Sequence, residues 1–507
     1  MTATIHGDDL SALEADPDVE AVSVDAILYA GAVQAQEPTT AKLENVLVDA
    51  LGLTKSRYDG DKVGIAVVDS GLEKSEDLSG GRADRFVDFT GEGRDGHPYD
   101  DYGHGTHVAT LIAGEGRESE VEIEEFDNGK SHRSKLALYR GLAPKARIIS
   151  LKVLDGNGAG YTSSVLRALE FAIENREKLK IDIINLSLGH PIYESPETDP
   201  LVRAVEDAVR SGMVVVASAG NYGLNQETGE VGYAGIASPG NAPSAITVGA
   251  VDMHDTSDRG DDTVTPYSSR GPAWYSGLAK PDLVAPGHRL VAVGAYNSWL
   301  YDAHAERRVW GRRGSKKARY LRLSGTSMAA AVTSGVVALM VQANRETHEV
   351  ALSPNAVKAI LEYTALPLTS ADALTQGAGG LNGAGAVLLA EVIDPGRATG
   401  NSWITGPVNP WTEIDGHSMA WSQTVVWGNT VVWGNVVFDN ELAWGQTVVW
   451  GSTVVWGNTV VWGNTDLVWD DPYFWSQTVV WGNTLLGTNG ATAVLNPTTV
   501  VWGNIVH

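Results

Sequence analysis

The chain has 507 residues, 43% hydrophobic and 20% charged, which is enough for two or three units, at least one with a large buried core. Its formal net charge of −25 argues against a nucleic-acid or anionic-membrane partner, since both demand clustered cations. It has no cysteine, which removes disulfides, thiolate metal sites and cysteine nucleophiles together, and no run of eighteen apolar residues that would read as a membrane span.

Residues 1–9 are acidic and lack the basic and apolar regions of a signal peptide, so read literally the chain is not addressed for export. Residues 10–25 read as a helix end, a turn at Pro17 and a short alternating strand, a piece too small to fold alone. Residues 26–58 carry little pattern and read as a connector. A different regime begins with Val63-Gly-Ile-Ala-Val-Val-Asp69, a β-branched run expected of a strand buried on both faces. Helix is then expected at 105–113, strand at 147–154, amphipathic helix at 162–175, strand at 181–188, helix at 201–211, and strands at 213–217 and 246–251. A long helix after Ser327 and another at 355–364 close the series. Such alternation predicts an α/β fold, a parallel sheet with helices on both faces, with ligands bound at the carboxyl ends of the strands. Asp69, Ser187 to Gly189 and Ser218 to Asn221 fall at such ends, while 115–140 interrupts the pattern as a charged, loop-like insertion.

Beyond Asp394-Pro-Gly the composition changes. Residues 398–507 hold no Lys or Arg but 13 of the 16 tryptophans, which marks a repeat and not a continuation of the core. Thr-Val-Val-Trp-Gly-Asn recurs at Thr424, Thr430, Thr453, Thr459, Thr478 and Thr499, and Trp421, Trp427 and Trp433 stand six apart. An even period keeps these rings on one side of an extended chain and Gly-Asn turns it, so an all-β meander or solenoid is expected. Such rings either stack on carbohydrate or another surface, or pack as ordinary strand side chains.

Four short motifs begin or end elements of the α/β region. Ala66-Val-Val-Asp69-Ser-Gly71 puts a carboxylate at a strand end, and Gly103-His104-Gly105-Thr106-His107 puts imidazoles at a helix start. Ser218-Ala-Gly220-Asn221 puts an amide past another strand, and Ser324-Gly-Thr-Ser327-Met-Ala puts a hydroxyl where a turn becomes a buried helix. Singly, each has a structural explanation: a turn cap, helix histidines, a left-handed turn residue, an N-cap with small residues for close packing. Together they supply one chemistry. A serine hydroxyl needs a base, histidine is the base suited to neutral pH, and the histidine needs a carboxylate to fix its tautomer. The oxyanion formed on attack needs fixed donors, which the Asn221 amide and the Ser327 backbone N–H can give. The chain order Asp, His, Ser differs from those of chymotrypsin and the α/β-hydrolases.

These motifs, with Asn185-Leu-Ser187-Leu188-Gly189, Gly141-Leu-Ala-Pro144, Tyr267-Ser-Ser-Arg270-Gly-Pro272 and Lys280-Pro-Asp-Leu-Val-Ala-Pro286-Gly, resemble the subtilisin-like serine proteases, in order and across roughly residues 61–390. The resemblance implies a serine endopeptidase acting on polypeptide substrates through an acyl-enzyme. Asp69 would be the orienter, His107 the general base and then acid, His104 a structural histidine, Ser327 the nucleophile and Asn221 the oxyanion donor. Ser187, Leu188 and Gly189 on one side and the strand at Gly160 on the other would flank an extended substrate, with Gly220 walling the pocket for the residue before the cut bond. No cofactor is implied for catalysis. A structural calcium is allowed, because Asp77 resembles a calcium-ligand aspartate and the acidic cluster 118–127 could add oxygens; read by itself, that cluster is a solvated loop. The family usually has a proline shortly after the nucleophile, where Ala329-Ala330-Ala331 stand here.

Residues 10–25 also resemble the closing part of the family's inhibitory propeptide. The expected product is then a secreted zymogen, extracellular or at the cell surface, with its own propeptide as a partner. The expected division is a partial propeptide at 1–27, a connector at 28–60, a subtilisin-like peptidase domain at 61–393, a linker at 394–420 and the Trp-rich repeat at 421–507. A reading from another class, a surface or carbohydrate-binding β-repeat protein carrying an inactive protease-like scaffold, rests on the tail. It is weakened because no triad or oxyanion residue is missing.

Overall fold

The structure, a computed structural model, describes residues 21–31 with scattered positions before them, residues 46–427 apart from 92–96, 128–129, 226, 312–317 and 398–402, and four short strands beyond. The strands that frame the site are β1 (Ile27–Ala30), β2 (Gly64–Asp69), β3 (Ala83–Asp88), β4 (Arg147–Lys152), β5 (Ala159–Tyr161), β6 (Ile183–Leu186), β7 (Leu188–Pro191), β8 (Val214–Ser218), β9 (Ala237–Ser238), β10 (Ile246–Asp252), β11 (Thr263–Val264) and β12 (Leu283–Pro286). The principal helices are α1 (His104–Ala113), α2 (Thr162–Glu174), α3 (Pro200–Arg210), α4 (Thr326–Thr347), α5 (Pro354–Thr364) and α6 (Gly383–Val392).

The β-branched run at β2 is buried at every position, as an all-apolar strand must be when both faces are covered. It stands inside an eight-stranded sheet of order β11-β10-β8-β6-β2-β4-β3, with β12 also beside β10. Every pairing in that sheet is parallel except β10 with β11. Parallel strands bring their carboxyl ends to one rim, so Asp69, Leu186 and Ser218 end side by side. Successive residues of β2 face opposite layers. Val67 joins a cluster with Ile112, Val336 and Leu361, and Val68 joins one with Leu151, Leu169 and Val205. Helix α4 is buried from Thr326 to Asn344. It is long and apolar enough to cross a membrane, yet that whole stretch is enclosed in the core.

The insertion at 115–140 is not a loop. Glu120–Asp127 and Lys130–Ala137 pair as an antiparallel hairpin, with Glu122 opposite Lys135. One strand is mainly acidic and the other basic, so the brief alternation of Val121 and Ile123 among glutamates reads as charge, and opposite charges across a ladder stabilise it; Lys135 donates to Glu120 at 2.9 Å. The strand expected before Asp25 begins only at Ile27. In the supposed connector, Leu47, Ala50, Leu51, Leu53 and Tyr58 are buried in the main core, with Leu47–Ala50 forming a turn of helix. The supposed linker carries a hairpin, Trp411–Ile414 with His417–Ala420, that adds Ile414 to the same core. Trp421, the first of the six-spaced tryptophans, is 3% exposed and donates its indole N–H to Thr412 Oγ1 at 2.7 Å, so it is a packing residue. Most of the repeat beyond it lies outside the described residues.

Two lysines are wholly enclosed where β12 meets α5. Lys280 Nζ donates to Asp282 Oδ2 at 2.7 Å and to Ala245 O at 3.0 Å. Lys358 Nζ lies 2.9 Å from Asp282 Oδ1 and donates to Pro243 O at 2.8 Å. Thr247 N donates to Asp282 Oδ2 at 2.7 Å, which ties β10 into the same knot. Burial pulls the Lys280 ammonium down to about 8, with Asp282 opposing the shift.

Asp77 is buried too, and its carboxylate is met by protein donors. Tyr320 OH donates to Oδ2 at 2.9 Å and Glu118 N to Oδ1 at 3.4 Å, while Arg319 holds the Glu118 carboxylate at 2.6 Å. Burial raises the Asp77 carboxyl above the usual carboxylate range. Among the described residues no three imidazoles or carboxylates gather as a metal site. Tyr320→Phe is expected to strip Asp77 of its hydroxyl donor and cost about 1–3 kcal/mol. The readout is the urea midpoint at unchanged slope; an unmoved midpoint would mean that other donors satisfy the carboxylate.

Candidate active site

Asp69 closes β2, and its Oδ1 accepts from Ser70 N at 2.7 Å. Both carboxylate oxygens face His104 Nδ1, at 2.8 and 2.9 Å. His104 opens α1, and that helix start is fixed by Asp100, a residue the sequence reading did not single out. Asp100 accepts from Gly103 N at 2.7 Å, from Thr106 N at 2.8 Å, from Thr106 Oγ1 at 2.7 Å and from Ser70 Oγ at 2.8 Å. It thereby satisfies orphan donors of the first helical turn and ties them to the end of β2. Gly105 permits the approach, since a Cβ there would lie 2.3 Å from Gly71 O.

The assignment of the base to His107 is corrected by this geometry, because the ring that meets Asp69 belongs to His104. Residues three apart on a helix diverge by about 60°, and His107 takes the other direction. Its Nε2 contacts Leu321 O at 3.1 Å in a fully buried setting. Burial, and after it the neighbouring His104, pushes the His107 pKa down to about 3, so this ring does not take up a proton near neutrality. The sequence held one sign of the distinction: the glycine that close approach requires follows His104, whereas Val108 follows His107. His104 Nε2 has no hydrogen-bond partner among the described residues and is the nitrogen left for chemistry.

Ser327 lies in the first turn of α4. Its Oγ donates to Ser187 O at 2.9 Å, and Ser187 Oγ donates back to Ser327 O at 3.0 Å. Asn185 donates to Ser187 Oγ at 2.8 Å and accepts from Ser334 Oγ at 2.9 Å, which locks the rim of β6 onto α4. Asn221 follows β8. Its Oδ1 accepts from Thr326 N at 3.0 Å, which turns the amide N–H groups outward, and Nδ2 donates to Gly31 O at 2.5 Å. Thr326, also unforeseen, accepts from Gly220 N through Oγ1 at 3.2 Å.

A smaller antiparallel sheet of order β9-β7-β1-β5 runs up to this point. Its β5 holds Gly160 and its β7 holds Leu188 and Gly189, with β1 paired between them. Gly160 stands opposite Leu28, Gly189 opposite Tyr29 and Leu188 opposite Ala30. Gly220 has φ +101°, and a Cβ on it would come 3.0 Å from that of Ala237. The structure thus gathers Asp69, Ser327, Asn221, Ser187, Leu188, Gly189, Gly160 and Gly220 about one cleft, and substitutes His104 for His107.

A carboxylate-bound imidazole, a helix-borne hydroxyl and an outward amide at the carboxyl rim of a parallel sheet form the kind of site that serine hydrolases carry. The subtilase family model matches residues 60–386, and the chain belongs to that family. It is similar to serine protease AprX of Bacillus subtilis (strain 168), 37% identical over 328 residues, 64% of this chain and 65% of the relative. Subtilisin E of the same strain is 31% identical over 303 residues, 58% of this chain and 65% of the relative. The major intracellular serine protease of that strain is 31% identical over 323 residues, 62% of this chain and 79% of the relative. The chain spans 65% of the length of each of the first two.

Proposed function

We propose that the protein is a serine endopeptidase that hydrolyses peptide bonds of polypeptides through an acyl-enzyme. Ser327 is the nucleophile. His104 takes its proton and later gives it to the leaving amine, and Asp69 holds the imidazole in the tautomer that leaves Nε2 free. The Asn221 amide and the Ser327 backbone N–H stabilise the oxyanion. The observation that carries this reading is the Asp69–His104 contact of 2.8 Å beside an amide that meets a peptide carbonyl in the cleft. Substrate lies extended between β5 and β7 as an added strand, with Gly220 beside the cut residue.

The reaction needs no cofactor. At Asp77, Tyr320 and Glu118 take the place of a cation, and a chelator is expected to leave the melting midpoint unchanged; a fall on chelation would reveal a structural calcium elsewhere. On this reading the enzyme works outside the cell or at its surface, and the six-residue tryptophan period continues as an all-β repeat behind it.

The test is cleavage of unfolded casein, with labelling by a serine-directed fluorophosphonate, by wild type and Ser327→Ala. Wild type is expected to do both and Ser327→Ala neither; a folded wild type that does neither sinks the reading. Asn221→Ala is expected to lower kcat by about 10²–10³-fold with little change in KM, a magnitude known from a subtilisin. A KM effect alone would make Asn221 a binding residue.

A further inference from the structure

A cavity of about 340 Å³ opens at the amino rim of the large sheet, where β6 and β8 begin side by side and α3 and α4 end. This is the rim opposite the catalytic one. Arg345, in the last turn of α4, stands about 27 Å along that helix from Ser327. The walls are of two kinds. Val209, Val214 and Val341, each no more than 9% exposed, form an apolar side together with Leu352. Arg176, Arg210 and Arg345 bring three guanidinium groups to the cavity, and Asp182 is the one carboxylate among the described residues that line it. Asp182 is taken by Arg345, which meets both of its oxygens, through Nη1 at 3.0 Å and through Nη2, while Gly64 N donates to Oδ2 at 3.1 Å. Arg176 and Arg210 are held differently. Each is paired through Nη1 with a carboxylate outside the cavity, Glu177 at 3.1 Å and Asp207 at 2.5 Å, and those side chains are 89% and 54% exposed. Exposed pairs are weak, and a guanidinium group has five N–H donors, so both arginines keep donors to offer a ligand. Gly212, with φ +93°, leaves the space that Arg176 uses, since a Cβ there would come 3.0 Å from its Nη2. Helix carboxyl ends favour cations, which accounts for Arg210 and Arg345 taken singly. It does not account for three guanidinium groups beside one apolar wall in a chain whose net charge is −25.

We propose that this cavity binds a small organic carboxylate with an apolar body, its anionic head between Arg176 and Arg210 and its body against the three valines and Leu352. A planar guanidinium group matches the two oxygens of a carboxylate. The volume lies in the range of small-ligand sites and admits a body the size of a leucine side chain. A monoanion suits the site better than a phosphate, because Asp182, Glu177 and Asp207 stand close by and repel a second negative charge. The guanidinium groups are between about one third and one half exposed, so added salt weakens the binding. The site stands apart from the catalytic cleft and does not depend on the protease reading above.

The test is calorimetric titration of the full chain with N-acetyl-leucine, set against N-acetyl-leucinamide, which keeps the body without the charge, and phenyl phosphate, which changes the head. Wild type is expected to bind N-acetyl-leucine saturably and the amide at least tenfold more weakly. Arg210→Gln, at a half-exposed position, is expected to weaken N-acetyl-leucine at least tenfold, the loss of one charge-assisted contact. Leu352→Asp, which sets an internal carboxylate beside the guanidinium groups, is expected to do the same. Casein turnover by both variants should equal that of wild type. Wild-type affinity in both variants would place the ligand elsewhere, the catalytic cleft included, and overturns the proposal. So does phenyl phosphate binding more tightly than N-acetyl-leucine, or a wild type that binds none of the three. Absence of casein turnover in wild type would sink the protease reading alone, since the titration decides the cavity without it.

Discussion

His104→Ala is expected to lower kcat on casein by about 10⁶-fold, the cost of losing a triad member, whereas His107→Ala should lower it by less than about tenfold in the folded protein. The two rings belong to the same helix turn, but only His104 meets Asp69, at 2.8 Å, and only His104 has a free Nε2 among the described residues. His107 is spent on packing and on Leu321 O. Its removal opens a cavity and orphans that carbonyl, at about 2–4 kcal/mol of stability. Turnover per folded protein and the urea midpoint, measured on both variants, separate the roles. Loss of turnover confined to His107→Ala would return the base to that residue.

Asp282→Ala should cost about 3–5 kcal/mol, a large part of the roughly 5–15 kcal/mol that holds a domain of ordinary stability. The carboxylate is shared by Lys280 and Lys358, both enclosed, and by Thr247 N. Without it two ammoniums are left in an apolar layer with backbone carbonyls and Glu362 for compensation. Adding Lys280→Met and Lys358→Met to an Asp282→Leu chain should recover much of the loss, because replacing a buried ionic set by apolar groups is far cheaper than breaking it. Denaturant unfolding reads both. A loss below about 1 kcal/mol for Asp282→Ala would mean that Glu362 carries the counter-charge.

Sequence and structure part company where charge or contact, not apolar period, decides the outcome. The β-branched run at β2 and the amphipathic period of α2 and α3 were legible because burial on a sheet leaves a pattern of its own. The hairpin at 120–137 left only the brief alternation of Val121 and Ile123 among glutamates, which reads as a charged loop. Asp69, Ser327 and Asn221 could be placed because each follows or begins an element whose end is plain. Which imidazole serves them could not, since spacing alone does not say which of two rings on one turn reaches β2. Asp100 and Thr326 tie distant parts of the chain together through hydrogen bonds across 30 or more residues of sequence, to Ser70 and to Asn221, and such bonds have no periodicity.

Were the strand at residues 25–31 absent, β5 and β7 would face each other across the width of a single strand, about 10 Å between them. Each then shows a row of amides and carbonyls with no match. A helix cannot answer them, because its own groups are already engaged internally, and a strand inside a sheet is committed to its neighbours. Only a stretched, unpartnered run of some five residues fits the slot. Such a cleft reads the state of the backbone before it reads any side chain.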